Sequence, residues 1–143
     1  MATGGDDRII KLWNVQTGDC VHKFSGHTSQ ILDLLFTPQG DRLISCSSDR
    51  TVKIWNLLTG ICMRTLQIHL NWVWAVVLSP DNQTLFSSSW DGTIKSSDLA
   101  TGEVQQTMQS VLPYKGMIID DVIDLTQAEI ISLKALGAIA LCQ

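Results

Sequence analysis

Two histidines, His27 and His69, stand 42 residues apart, and Asp49 and Asp91 repeat the same interval, with Ser45 and Ser47 between the first histidine and the first aspartate. Histidine, serine and aspartate together could supply the base, nucleophile and orienting carboxylate of acyl transfer. That chemistry needs one exposed serine, oxyanion donors and only one copy of the set. Here the residue types return at a fixed interval, as parts of a repeated structural network would; a hydrolase is the weak alternative, and no catalytic residue is assigned. Asp120, Asp121 and Asp124 suggest a cation, but they lack the glycine-containing loop and terminal glutamate of a calcium motif and read as a solvated turn. Gly4-Gly5 leads into a turn and not a helix, so it is no phosphate cradle. Cys20, Cys46, Cys62 and Cys142 form no CxxC pair and have no zinc-like histidine spacing. No metal, no cofactor and no enzymatic activity are expected.

Composition narrows the partners. The chain of 143 residues is 45% hydrophobic, enough to build a core and too apolar for a disordered tail. Its formal net charge is -4, with the charges interspersed and no Lys/Arg cluster to neutralise phosphates, which argues against nucleic acid. The first residues carry no apolar leader, and no apolar run is long enough to cross a bilayer. A cytoplasmic protein with reduced thiols and no membrane partner is expected.

The elements that hold these residues follow from the 42-residue period. Asp7, Asp49 and Asp91 keep it, as do Thr17, Thr59 and Thr101, and Gly18, Gly60 and Gly102; Lys11, Lys53 and Lys95 add a fourth set. Trp13 with Trp55 and Pro38 with Pro80 match in two copies. A period of about 40–45 residues fits either a four-stranded propeller blade or a helical repeat. Strand signals decide. Ile31 to Phe36 is a short apolar run stopped by Thr37-Pro38-Gln39-Gly40-Asp41, which is turn chemistry. Arg42 to Cys46, Thr51 to Trp55 and Ile61 to Leu66 follow as strands, and Val73 to Leu78, Thr84 to Ser88, Thr93 to Ser97 and Glu103 to Met108 repeat the order. The fold class expected is all-β, with half a blade followed by two four-stranded blades of a propeller. The boundaries predicted are a partial blade over 1–26, repeats over 27–68 and 69–110, and an extension over 111–143.

Gly26-His27, the run from Ser45 to Asn56, and the counterparts around His69 and Asp91 resemble the WD40-repeat propellers. The resemblance covers residues 1 to about 110. It implies that the loop histidine, a second-strand serine, the turn aspartate and the third-strand tryptophan form one hydrogen-bonded network. These are His27, Ser45 or Ser47, Asp49 and Trp55, with His69 and Asp91 as the second copy; alternation alone does not choose between the serines. The resemblance also implies that partners bind at strand starts and turns on the top and rim. The candidates there are Gln30, Arg50, Asn71, Trp72 and Trp90. Trp72 and Trp74, at alternate positions, should share a face. His22 is expected at the surface of an outer strand.

The second full repeat departs from the pattern. His69 follows Ile68 instead of glycine, and Ser97 stands where Trp13 and Trp55 stand. A missing indole leaves a hole or an unpaired partner, so this blade should be the weakest. After it, Thr126 and Glu129 make a capping box before Ile130, Leu133 and Leu136 at helical spacing, which predicts a helix over about 127–139. This tail resembles the extension after the final blade in large bacterial, especially cyanobacterial, WD-repeat proteins, and its expected role is a cap on the last blade.

Propellers close with about 4 to 8 blades, and a ring of seven would take roughly 290 residues at this period. Half a blade and two whole ones cannot close. The chain is therefore expected to be a piece of a larger propeller, to assemble with copies of itself, or to stand as an open array with exposed edges. Its expected function is a non-catalytic scaffold for protein partners; a truncated or decayed remnant without independent function is the alternative.

Overall fold

A computed structural model of the chain describes residues 1–109; the capping box and helix expected further on lie outside the described residues. Within them the chain is all-β, in three antiparallel sheets. The first has β1 (Ala2–Thr3), β2 (Ile9–Trp13) and β3 (Cys20–Ser25). The second runs in chain order through β4 (Ile31–Phe36), β5 (Arg42–Ser47), β6 (Val52–Asn56) and β7 (Cys62–Leu66). The third does the same through β8 (Val73–Leu78), β9 (Thr84–Ser89), β10 (Thr93–Asp98) and β11 (Val104–Gln109). The strands expected from alternation are all present, with ends moved by a residue or two.

Turn chemistry sets the meander. Between third and fourth strands, the Asn56 side chain accepts the N–H groups of Leu58 and Thr59 at 2.9 and 2.8 Å, and Gly60 closes the turn with φ 74°. Asn14 with Gly18 and Asp98 with Gly102 build the same turn, both glycines at positive φ. A Cβ on Gly102 would lie 2.6 Å from Leu66 and 2.9 Å from Arg64, on the outer strand of the preceding sheet. A Cβ on Gly60 would strike the His22 ring, whereas one on Gly18 would meet nothing. His22, expected at the surface, is half-buried because its ring lies between this turn and Phe24, at 4.6 Å between ring centroids.

Each strand has two faces, and the middle sheet uses both. Leu34, Leu43 and Trp55 point back and join Ile10 and Phe24 in one core. Ile44, Cys46, Val52, Ile54 and Leu66 point forward and join Val73, Val76, Leu85 and Leu99 in a second. Neither sheet could bury two faces alone, and stacking does it; each such side chain contributes about 1.5–3 kcal/mol when fully buried. β8 lies against β4 and β5. Polar bonds also join the two sheets: Asp33 Oδ2 accepts the Val76 N–H at 3.0 Å, and the Arg64 guanidinium donates to the Ala100 carbonyl at 2.7 Å.

Candidate functional site

His27 sits in the loop before β4, Ser45 on β5, Asp49 in the β5–β6 turn and Trp55 on β6. His27 Nδ1 lies 2.7 Å from Asp49 Oδ2, and its Nε2 2.7 Å from Ser45 Oγ. Trp55 donates its indole N–H to Ser45 Oγ at 2.9 Å. An ionised carboxylate only accepts, so Nδ1 carries the proton, and Nε2 is left to accept the serine hydroxyl. Burial pushes the His27 pKa down against the opposing pull of Asp49, which favours this neutral form. For Asp49, burial pushes the pKa up, but hydrogen bonds from Thr51, His27 and the Thr28 N–H outweigh it and hold the carboxyl below its ordinary value. The network ties a loop, two strands and a turn into one block.

The two serines left open by alternation have different duties. Ser45 holds the histidine and the indole; Ser47 donates to Ser29 O at 3.2 Å and accepts the Asp49 N–H at 3.0 Å, shaping the turn. Ser45 is fully buried and its hydroxyl is engaged on both sides, so no substrate can reach it as a nucleophile. Sequence reasoning missed Thr51, whose hydroxyl donates to Asp49 Oδ1 at 2.6 Å; its match in phase with Thr93 was the available signal. Burial pushes the Cys46 thiol up to about 12, so it packs as a small apolar group.

The second copy is incomplete. His69 lies 3.0 Å from Asp91 Oδ2 and 2.8 Å from Ser87 Oγ, and Thr93 donates to Asp91 at 2.6 Å. Burial raises the Asp91 pKa, but the Thr93 hydroxyl, the Leu70 N–H and His69 together hold it far below the usual carboxylate range. Ser97 occupies the indole's place. Ser87 keeps its histidine, and the group left without a partner among the described residues is the buried Ser97 hydroxyl itself.

The rim candidates fall into two groups. Gln30 and Arg50 are exposed, and Arg50 holds a left-handed φ of 72°, as Arg8 does one repeat earlier and Gly92 one repeat later. Asn71, half-buried, accepts the Trp72 N–H at 2.9 Å through its own side chain. Trp72 and Trp90 are 47% and 65% exposed, 6.5 Å apart by ring centroid, and joined where the Trp90 N–H donates to Trp72 O. Trp74 completes the cluster, 6.1 Å from Trp72 and 5.6 Å from Trp90. At the other end of the sheets, a cleft of about 280 Å³ between Thr37, Asp41, Arg42, Asn82 and Leu99 is polar and carries no reactive group beyond the Arg42–Asp41 pair at 3.3 Å. Among the described residues no cluster of three or more His, Cys, Asp or Glu side chains is placed to hold a metal.

Stacked four-stranded meanders, pinned by a repeated buried network and carrying an aromatic rim, define blades of a β-propeller. Residues 18–56 and 60–96, more than half of the chain, match the model of the WD domain, G-beta repeat. The chain belongs to the WD-repeat family. Each matched unit runs from the outer strand of one sheet through three strands of the next, so the sequence repeat straddles two blades and locks neighbours together. The chain is 40% identical over 42 residues to an uncharacterised WD repeat-containing protein of Schizosaccharomyces pombe, covering 29% of this chain and 14% of that one. It is 40% identical over 47 residues to periodic tryptophan protein 2 of Arabidopsis thaliana, covering 33% and 5%. With the Polycomb protein esc of Drosophila virilis it shares 38% over 48 residues, covering 32% and 11%. The chain thus spans a small part of the length of these curated relatives.

Proposed function

We propose that the chain is a protein-binding scaffold element, an arc of a larger WD-repeat propeller whose rim contact centres on Trp72 and Trp90. The observation that carries this reading is the exposure of two large aromatic side chains at adjoining turns. Burying such rings costs little conformational entropy, and tryptophan and arginine are favoured interface anchors. Arg50 supports it from the neighbouring blade: the turn takes a left-handed residue here in every repeat, and an exposed arginine stands where glycine, as at Gly92, would carry no strain. Gln30 and Asn71 would supply polar contacts at the same strand starts. The tail's resemblance to extensions that follow the final blade of large bacterial WD-repeat proteins supports a position at the end of the ring.

The test is quantitative affinity capture from the native cell, comparing the full chain with a Trp72→Ala/Trp90→Ala double variant. Proteins bound through the rim should fall by roughly 30-fold or more if the pair forms a hot spot, with the far-ultraviolet circular dichroism unchanged. An unchanged set of bound proteins would overturn the assignment of the rim.

A further inference from the structure

Trp72, Trp74 and Trp90 are an addition to the repeat. One repeat earlier the same positions hold Gln30, Leu32 and Ser48. There Leu32 packs against the core, and the Ser48 hydroxyl ties its turn to Ser29. The second sheet thus folds without indoles at these positions, yet three of the chain's five tryptophans gather there in the third. Their donors are also unspent. Trp13 and Trp55 give their indole N–H groups to Thr3 and Ser45, whereas among the described residues those of Trp72, Trp74 and Trp90 reach no acceptor.

The patch has a definite relief and no charge. Ring centroids 5.6 to 6.5 Å apart put the three rings in mutual contact, so no hole opens among them for a buried side chain. Their planes are inclined to one another by 45° to 67°, which makes shallow furrows instead of a flat plate. Leu70, in the loop that carries Trp72, is 84% exposed, and Asn71 lies between them. Asp91 follows Trp90, but its carboxylate is taken up by His69, Thr93 and the Leu70 N–H.

We infer that this furrowed patch binds a proline-rich segment of a partner protein in the extended polyproline II conformation. The inference rests on the rim reading above and narrows it to one class of ligand. Proline rings are apolar and uncharged, and they seat in furrows between aromatic rings. A polyproline II chain makes no internal hydrogen bonds, so its carbonyls stand outward as acceptors for the three indole N–H groups. It is also extended before it binds, so docking orders little chain. Charged segments fit worse. An ammonium group would meet ring faces but no free carboxylate, and it cannot accept an indole N–H. A carboxylate or phosphate would meet no Lys or Arg among the patch residues.

The test follows the indole N–H signals of the full chain by proton–nitrogen correlation NMR, with the three rim signals assigned by Trp→Phe variants. The probe is an end-blocked oligoproline of about ten residues, roughly 31 Å long. The Trp72, Trp74 and Trp90 signals should move downfield while those of Trp13 and Trp55 stay in place. Trp90→Phe keeps a ring and removes the donor, and it should weaken binding by about 2- to 12-fold. Rim signals that stay still at millimolar oligoproline would overturn the inference. So would an equal response to a Gly/Ser peptide of the same length, or tighter binding of a trimethyllysine or acidic peptide. If oligoproline fails while Trp72→Ala/Trp90→Ala still loses its captured proteins, the rim stands and the ligand class falls; if capture is unchanged as well, both fall.

Discussion

The second and third sheets are built from the same 42-residue plan and carry the same histidine, serine, aspartate and threonine, yet one has an indole where the other has a hydroxyl. In the second sheet the chain of donors runs without a gap from Trp55 through Ser45 and His27 to Asp49. In the third it runs from Ser87 to Asp91, and beside it Ser97 is buried with no hydrogen-bond partner among the described residues. The network geometry survives without tryptophan. What the indole adds is volume between two sheets and a donor for the serine, and its loss converts a satisfied core into one carrying an orphan polar atom.

The sharpest way to break the comparison is to give the second sheet the third sheet's residue. Trp55→Ser should cost about 3–5 kcal/mol, because it empties a side chain in contact with Phe24 and leaves Ser45 short of a donor. The midpoint of urea unfolding of the full chain measures it; a loss under about 1 kcal/mol would mean that the seam repacks freely.

Acid should act on the same block next. His27 has its pKa lowered from 6.5, so the folded state holds its proton less tightly than the unfolded chain does. The stability this gives is present above pH 6.5 and is lost as pH falls from there towards the lowered value. Asp49, lowered from 3.8, adds a loss of the same sign below the ordinary carboxylate range. His27→Gln should destabilise the protein at neutral pH and flatten the profile just below pH 6.5; an unflattened profile would locate the titration elsewhere.

In the third sheet the informative change is small and of opposite sign. Ser97→Ala removes a buried, unpaired hydroxyl and should raise stability by about 1 kcal/mol; destabilisation would show that the hydroxyl has a partner. Arg50→Gly should give a similar or lesser gain, up to about 1 kcal/mol, by relieving left-handed backbone at an exposed turn. That gain should come with weaker partner capture if Arg50 contributes to the rim.

Most of the fold was legible because strands declare themselves by alternation and the period declares the blades. The choice between Ser45 and Ser47 was not, since residues two apart in a strand share a face; only the bonds of the turn separate them. Trp74 was obscured for a related reason. Alternation places it with Trp72, and the two rings do meet, but the register shifts between Val73 and Ala75. Simple alternation across that bulge could not show that Trp74 also reaches Trp90, 5.6 Å away by ring centroid. Ser97 was the reverse case: the break in the period was visible, but which atom would lose its partner depended on how Ser87 and His69 settled.

The turn glycines decide how closely the outer edges of successive sheets approach. Gly60 rests on His22 and Gly102 on Leu66 and Arg64, each with no room for a methyl group, while Gly18 faces open space. A side chain at the first two sites would pry the outer edges apart while the inner strands stayed joined, opening the angle between successive blades. A ring of blades closes only when its wedges sum to a full turn, so in the larger propeller proposed above the bare backbone at Gly60 and Gly102 would set how tightly this arc curves.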